Sequence, residues 1–181
     1  MGRLRAGVVA LAPVTEPTPA AILDAYTHCA TLNEISFATA ACVVIDTETG
    51  NISYSLAGHP PPLVINPDGT HAWLNIAPAP PIAAGEICSF VNHPARLRPG
   101  ATLVMYSDGL IERRGESLDQ GLDRLEALTV RLVAIETDAL ASLLISELTS
   151  DVVVQDDIIV VCARWEPSRA SRDSKPLGNP R

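Results

Sequence analysis

The 181-residue sequence predicts an α+β fold, a layered sandwich in which runs of mostly antiparallel strands are bracketed by helices. Three observations carry this. Short β-branched or alternating segments lie between residues 41 and 106, joined by Gly-containing turns. Helical periodicity flanks them on both sides. Hydrophobic residues make up 47% of the chain and charged residues 19%, enough apolar side chains for one core and too many for a disordered chain.

In chain order, Gly2 to Ala12 reads as a helix with Leu4, Val8, Leu11 and Ala12 apolar; it opens without a cap and Pro13 stops it. Thr18 caps a second helix with Pro19 at its first position and Ile22, Tyr26 and Cys29 on one face, ending near Asn33. Ala41 to Asp46 and Ile52 to Ala57 form a hairpin across Thr47-Glu48-Thr49-Gly50-Asn51. Leu63 to Ile65 and Thr70 to Leu74 form another across Asn66-Pro67-Asp68-Gly69, where Pro presets φ and Gly accepts the turn. An extended loop through Pro78 to Pro81 leads to an alternating strand, Ile87 to Val91. The turn Arg98-Pro99-Gly100 leads to the apolar strand Thr102 to Tyr106. Leu122 to Val133 and Asp138 to Leu148 read as helices. The last strand, Ile158 to Ala163, is apolar at consecutive positions, which predicts a central strand covered on both faces. No internal repeat is present.

The function classes narrow with the charge. Thirteen Lys+Arg against 21 Asp+Glu leave a formal charge of -8, so a phosphate-backbone face is not expected and no nucleic-acid partner is predicted. Cys29, Cys42, Cys88 and Cys162 show no CxxC spacing and read as reduced core thiols, not as a zinc site or disulfide frame. No apolar run reaches the ~18 residues that span a bilayer, and Met1 to Ala12 lacks the length and cleavage site of a signal peptide. The expectation is a cytoplasmic protein with no membrane span.

Three constellations carry candidate chemistry: Ala57-Gly58-His59-Pro60-Pro61-Pro62, Tyr106-Ser107-Asp108-Gly109-Leu110-Ile111-Glu112, and Gln155-Asp156-Asp157-Ile158. Asp108 follows one apolar strand and Asp156 precedes another, so antiparallel pairing would bring both carboxylates to one end of a sheet. Hard cations such as Mg²⁺ and Mn²⁺ take such oxygen ligands, with water completing the shell. Each motif alone also has a plain structural reading, since Asp-Gly is a common turn dipeptide and an Asp before a strand a common loop residue. His59 is either a catalytic imidazole or a ring packed on a proline turn and bonded to a carbonyl. His28, His71 and His93 read as surface residues. Arg113-Arg114 is either a solvated pair or a phosphate reader.

Taken together and in this order, the segments resemble a known family. Phe37-Ala38-Thr39-Ala40, Asp46 with Thr49-Gly50, Ala57 to Leu63, Asp68-Gly69, Leu97 to Gly100, Tyr106 to Arg114 and Asp156-Asp157-Ile158 look like the SpoIIE/RsbU-type branch of the PPM (PP2C-like) serine/threonine protein phosphatases. The resemblance implies a PP2C-like αββα sandwich holding two Mn²⁺ or Mg²⁺ ions, with a bridging water as nucleophile. It places Asp108 at the metal-binding aspartate of the family's YTDGLIE motif and Asp156 at the first aspartate of its DD pair. Asp157 becomes an outer or alternate ligand, and Gly58, His59 and Gly109 become structural neighbours of the site. The implied substrate is a phosphoserine or phosphothreonine on a STAS-type anti-sigma-factor antagonist, in stress or sigma-factor regulation, and a dimer is compatible with it.

One departure stands out. The family carries a first pair of strands and a GDVxGHG-like segment, with a further metal-ligating aspartate, upstream of the helix that begins here at Met1-Gly2-Arg3-Leu4-Arg5. The expectation is therefore a phosphatase domain over residues 1–165, incomplete at its N-terminus and lacking the first strands, followed by a disordered tail over 166–181. Asp108 and Asp156 alone would hold cations weakly. The rival expectation is a catalytically inactive remnant that only binds regulatory partners.

Overall fold

The computed structural model describes residues 18–32, 37–75, 79–84, 89–151 and 156–167. Among them, α1 (Pro19–Leu32) precedes β1 (Ala40–Ile45), β2 (Asn51–Ala57), β3 (Leu63–Ile65), β4 (His71–Trp73), β5 (His93–Arg96) and β6 (Thr102–Tyr106). A 3₁₀ turn (Asp108–Leu110), α2 (Leu118–Arg131), α3 (Thr137–Thr149) and β7 (Val160–Arg164) follow. The strands form two antiparallel sheets, β1-β2-β5 and β4-β3-β6-β7. Helix α1 lies on the first sheet, and α2 and α3 on the second, which gives the four layers that the αββα expectation requires.

The layering follows from the two faces of each strand. In β3 and β6, Leu63, Val104 and Tyr106 point to α2 and α3, where they meet Leu125, Leu128, Leu140, Leu144 and Leu148. Val64 and Leu103 point the other way and close the gap between the sheets with Ile52, Tyr54, Leu56 and Leu97. Leu140, Leu144 and Leu148 recur every four residues, so α3 presents one buried stripe. Burying leucines of this kind contributes about 1.5–3 kcal/mol each.

Several sequence expectations land where the turn chemistry put them. Thr18 Oγ1 accepts from the Ala21 amide at 3.3 Å at the start of α1. Both hairpins form, β1 with β2 and β3 with β4. The expected helix over Gly2 to Ala12 lies outside the described residues, as do Cys88 and residues 168–181 of the expected tail.

Two strands differ from the reading. Ile87–Val91 is not the strand: residues 89–91 are irregular, 87–88 lie outside the described residues, and the ladder with β2 is made by His93–Arg96. Pro94 hid that strand, because a residue without an N–H is tolerated in a sheet only at an edge, which is where β5 runs among the described residues. Nor is the last strand central. It begins at Val160, lies at the end of its sheet beside β6, and leaves Ile159 58% and Val161 52% exposed. Val161 pairs with Met105 and so shares a face with Leu103, yet stays exposed. Consecutive apolar residues reported hydrophobicity, not neighbours. His93 also departs from a bare surface position, packing its ring 5.7 Å from that of Tyr54.

Two side chains tie the C-terminal strand to distant parts. Trp165 Nε1 donates to the Thr47 carbonyl at 2.9 Å, joining the end of β7 to the first hairpin. Arg164 donates to Thr102 Oγ1 at 3.0 Å and to the carbonyls of Val133 and Ile135 at 3.1 and 2.7 Å, which fastens β7 to the turn between α2 and α3. Three charge-assisted bonds from a half-buried guanidinium outweigh an exposed pair such as Arg98 with Asp68 at 3.7 Å. Arg164→Met should therefore lower stability in urea unfolding by about 2–4 kcal/mol, whereas Arg98→Met should change it by less than about 0.5 kcal/mol. Equal effects would show that the Arg164 bonds do not hold the layers together.

Candidate functional site

The site begins with the ladder between β6 and β7. Their register runs from Thr102↔Arg164 to Tyr106↔Val160, so the chain leaving β6 and the chain entering β7 meet at one end of the sheet. The pairing continues for one more residue: the Ser107 amide donates to the Ile159 carbonyl at 2.9 Å. Ser107 Oγ then donates to the Asp157 carbonyl and accepts from the Ile159 amide, both at 2.9 Å. One hydroxyl thus extends the ladder to the residues around Asp157.

Asp108 opens the 3₁₀ turn directly after this clasp. Its own carbonyl accepts from the Ile111 and Glu112 amides, each at 2.9 Å, and its Oδ1 accepts from the Gly109 amide at 2.9 Å. Across the junction, Asp156 Oδ1 accepts from the Asp157 amide at 2.8 Å. Each carboxylate therefore has one oxygen held by the following amide, and the other carries no protein hydrogen bond among the described residues. Gly109 fixes the spacing of the two segments. A methyl group there would lie 3.0 Å from the Asp157 carbonyl oxygen and 3.4 Å from Asp156 Cβ. The structure thus brings Asp108, Gly109, Asp156 and Asp157 to one end of the sheet.

The proline turn sits at the same end. Tyr106, the last residue of β6, donates from its hydroxyl to the Pro61 carbonyl at 2.8 Å, and burial pushes its phenol well above the ordinary range, so it stays a donor. The His59 ring stands edge-on to Tyr106 with centroids 6.4 Å apart, and its Nδ1 is 2.7 Å from the Pro60 carbonyl. A carbonyl only accepts, so Nδ1 carries the proton in that contact. Gly58 is required here on two counts: its φ is +62°, and a Cβ would come within 2.4 Å of Pro81 Cγ.

Other groups singled out in the sequence do different work. Arg113 donates to the Leu148 carbonyl at 2.9 Å and pairs with Asp151 at 2.9 Å, so it ties the loop after Asp108 to the end of α3 and does not face a cleft as a phosphate reader. Arg114 is exposed. Asp46 takes bonds from the Thr49 hydroxyl and from the Glu48 and Thr49 amides, which hold its carboxyl below the usual range and close the first hairpin. Cys42 and Cys162 are free, half-buried thiols, and burial raises Cys162 to about 11, so it stays protonated; Cys29 is likewise half-buried. Among the described residues no group of three or more His, Cys, Asp or Glu side chains converges on a common point.

Sequence reasoning missed Ser107 and the start of α2. The helix begins at Leu118, not Leu122, because Ser117 and Gln120 form a reciprocal capping box. The Ser-Leu-Asp-Gln spacing carried that signal. Ser107 carried none, since its role needs the partner strand.

The family model described as Stage II sporulation protein E (SpoIIE) matches residues 1–166. Protein IcfG of Synechocystis sp. is 33% identical over 100 residues, which cover 54% of this chain and 16% of IcfG. The crystal structure of the RsbU and RsbW domains of Rv1364c from Mycobacterium tuberculosis superposes with a TM-score of 0.80 at 26% identity, over 93% of this chain and 48% of that one. The SiaA-PP2C domain of Pseudomonas aeruginosa superposes with a TM-score of 0.71 at 20% identity, over 91% and 68% of the two chains. The chain thus spans half or less of the first two proteins.

Ser107→Ala removes the donor to Asp157 and the acceptor for Ile159 while leaving the backbone bond between residues 107 and 159. Stability should fall by about 1–2 kcal/mol, and the Ile159 amide should exchange hydrogen faster than the amides of β6. An unchanged Ile159 exchange rate would show that the hydroxyl clasp does not hold the two segments.

Proposed function

The chain belongs to the SpoIIE family, and from that premise we propose that it is a metal-dependent phosphatase domain that hydrolyses phosphoserine or phosphothreonine on a partner protein. The observation that supports this reading is the β6–β7 register, which sets Asp108 and Asp156 at one sheet end with one oxygen of each free of protein donors among the described residues. PP2C-type phosphatases are metal-dependent, and the donor set here fits Mn²⁺ or Mg²⁺. It consists of oxygens only, it is anionic, and two carboxylates with water are what such ions accept.

In this reading Asp108 and Asp156 hold the cation, and Asp157 lies beside them as an outer or alternate ligand. A divalent cation bound there neutralises phosphate charge and lowers the pKa of water, so the chemistry needs no protein nucleophile. The protein's part is to keep the two carboxylates in place. Ser107 does this from the β7 side, and the bonds from Ile111 and Glu112 to the Asp108 carbonyl do it from the loop side. His59 buttresses Tyr106 through the proline turn and transfers no proton.

The substrate we propose is a phosphorylated anti-sigma-factor antagonist of the STAS type, in sigma-factor regulation. Support comes from the relatives: the Rv1364c structure is that of its RsbU and RsbW domains. The reading places the protein in the cytoplasm, in keeping with the free thiols Cys42 and Cys162. No helix among the described residues is long and apolar enough to cross a membrane.

The test is Mn²⁺-dependent hydrolysis of a phosphoserine peptide by the wild type, Asp108→Asn and His59→Ala. The account expects Asp108→Asn to lower the rate by about 100-fold or more and His59→Ala to leave it within about tenfold. Indifference to Asp108→Asn would remove the site. A loss of several orders of magnitude in a folded His59→Ala protein would make His59 catalytic. Cation binding without any hydrolysis would favour a domain that docks regulatory partners and does not turn over.

A further inference from the structure

Helix α2 approaches the Asp108 turn through a single peptide group. A Cβ on Gly121 would come within 2.3 Å of the Ile111 carbonyl oxygen, so no larger residue fits unless the helix moves. One turn further along the same face, Arg124 Nη2 donates to that same carbonyl at 3.1 Å. Glu116 pairs with the Arg124 guanidinium and orients it. The same peptide group faces the site with its N–H: the Glu112 amide donates to the Asp108 carbonyl at 2.9 Å, as does the Ile111 amide. The peptide between Ile111 and Glu112 is thus bonded to α2 by its C=O and to Asp108 by its N–H.

The far end of the loop is fastened independently. Arg113 reaches the Leu148 carbonyl at the end of α3 and Asp151 just beyond it. Behind both contacts lie Leu125, Leu140 and Leu144, which are fully buried, so neither helix shifts freely under the loop.

We propose that Gly121 and Arg124 are positioning residues for Asp108: the bare Gly121 surface lets α2 close on the Ile111 carbonyl, and Arg124 holds that carbonyl so that the Glu112 amide of the same peptide plane fixes the Asp108 backbone. The inference rests on reading Asp108 as a cation ligand. Neither residue touches the site. Their effect on it passes through one peptide plane, and a small displacement of α2 is delivered to the carboxylate at the end of β6.

The experiment uses the 181-residue protein with Arg124→Gln, Arg124→Lys, Gly121→Ala and Asp108→Asn. Hydrogen exchange by NMR reports the Ile111 and Glu112 amides against Leu103 and Val104 in β6. Loss of the free-ion electron paramagnetic resonance signal reports Mn²⁺ binding, with Asp108→Asn setting the floor. Arg124→Gln and Gly121→Ala should accelerate exchange at Ile111 and Glu112 about tenfold, leave Leu103 and Val104 unchanged, and weaken Mn²⁺ binding several-fold, with Arg124→Lys recovering part of each. Unchanged exchange at Ile111 and Glu112 would overturn the proposal, as would equal acceleration in β6, which marks general loosening. Mn²⁺ binding that falls in Asp108→Asn but not in Arg124→Gln would also overturn it while sparing the site. Mn²⁺ binding that ignores Asp108→Asn would refute the site reading itself, and the proposal with it.

Discussion

The pairing of β6 with β7 decides where the chemistry-bearing residues fall. Asp108 and Asp156 are separated by two helices and the turns that join them, and nothing local holds them together. They meet because Tyr106 pairs with Val160 and because Ser107 carries the ladder one residue further. Strand register is a strict constraint, since a slip of one residue sends every side chain to the opposite face. Here such a slip would turn Val104 and Tyr106 away from the helices and Leu103 away from the inter-sheet core. The apolar packing that selects the register therefore also places the aspartates.

The helices support that arrangement from behind. The leucines of α2 and α3 fill one face of the second sheet, and each contributes on the order of 1.5–3 kcal/mol. Polar contacts add position more than bulk stability. Arg164 fastens β7 to the turn between the helices, Arg113 fastens the loop after Asp108 to α3, and Arg124 fastens it to α2. All three donate to backbone carbonyls, the last groups of a turn or helix that lack internal partners. The arginines around the site are therefore fasteners, whereas Asp108 and Asp156 each keep one oxygen without a protein donor among the described residues.

Much of this was legible in the sequence, for physical reasons. Turn residues act locally, so Pro67-Asp68-Gly69 and Thr49-Gly50 announced their hairpins. Asp108 and Asp156 were legible because a residue just after one apolar strand and a residue just before another must come together if the strands pair antiparallel. What failed depended on neighbours. Ile159 and Val161 are apolar yet exposed, because coverage belongs to the other sheet and not to the strand. Pro94 masked β5, since proline's missing donor matters only in relation to which edge faces a partner. Arg113 had two readings, and only the position of Leu148 and Asp151 chose between them.

The central claim is that Asp108 and Asp156 form one cation site because β6 and β7 bring them together. The most direct measurement is a double-mutant cycle on Mn²⁺ binding with Asp108→Asn, Asp156→Asn and the pair combined. If the two share an ion, either single substitution removes most of the binding and the second adds little, giving a coupling energy well above the ~0.5 kcal/mol expected of independent sites. Additive losses, or binding that survives either substitution unchanged, would contradict the account.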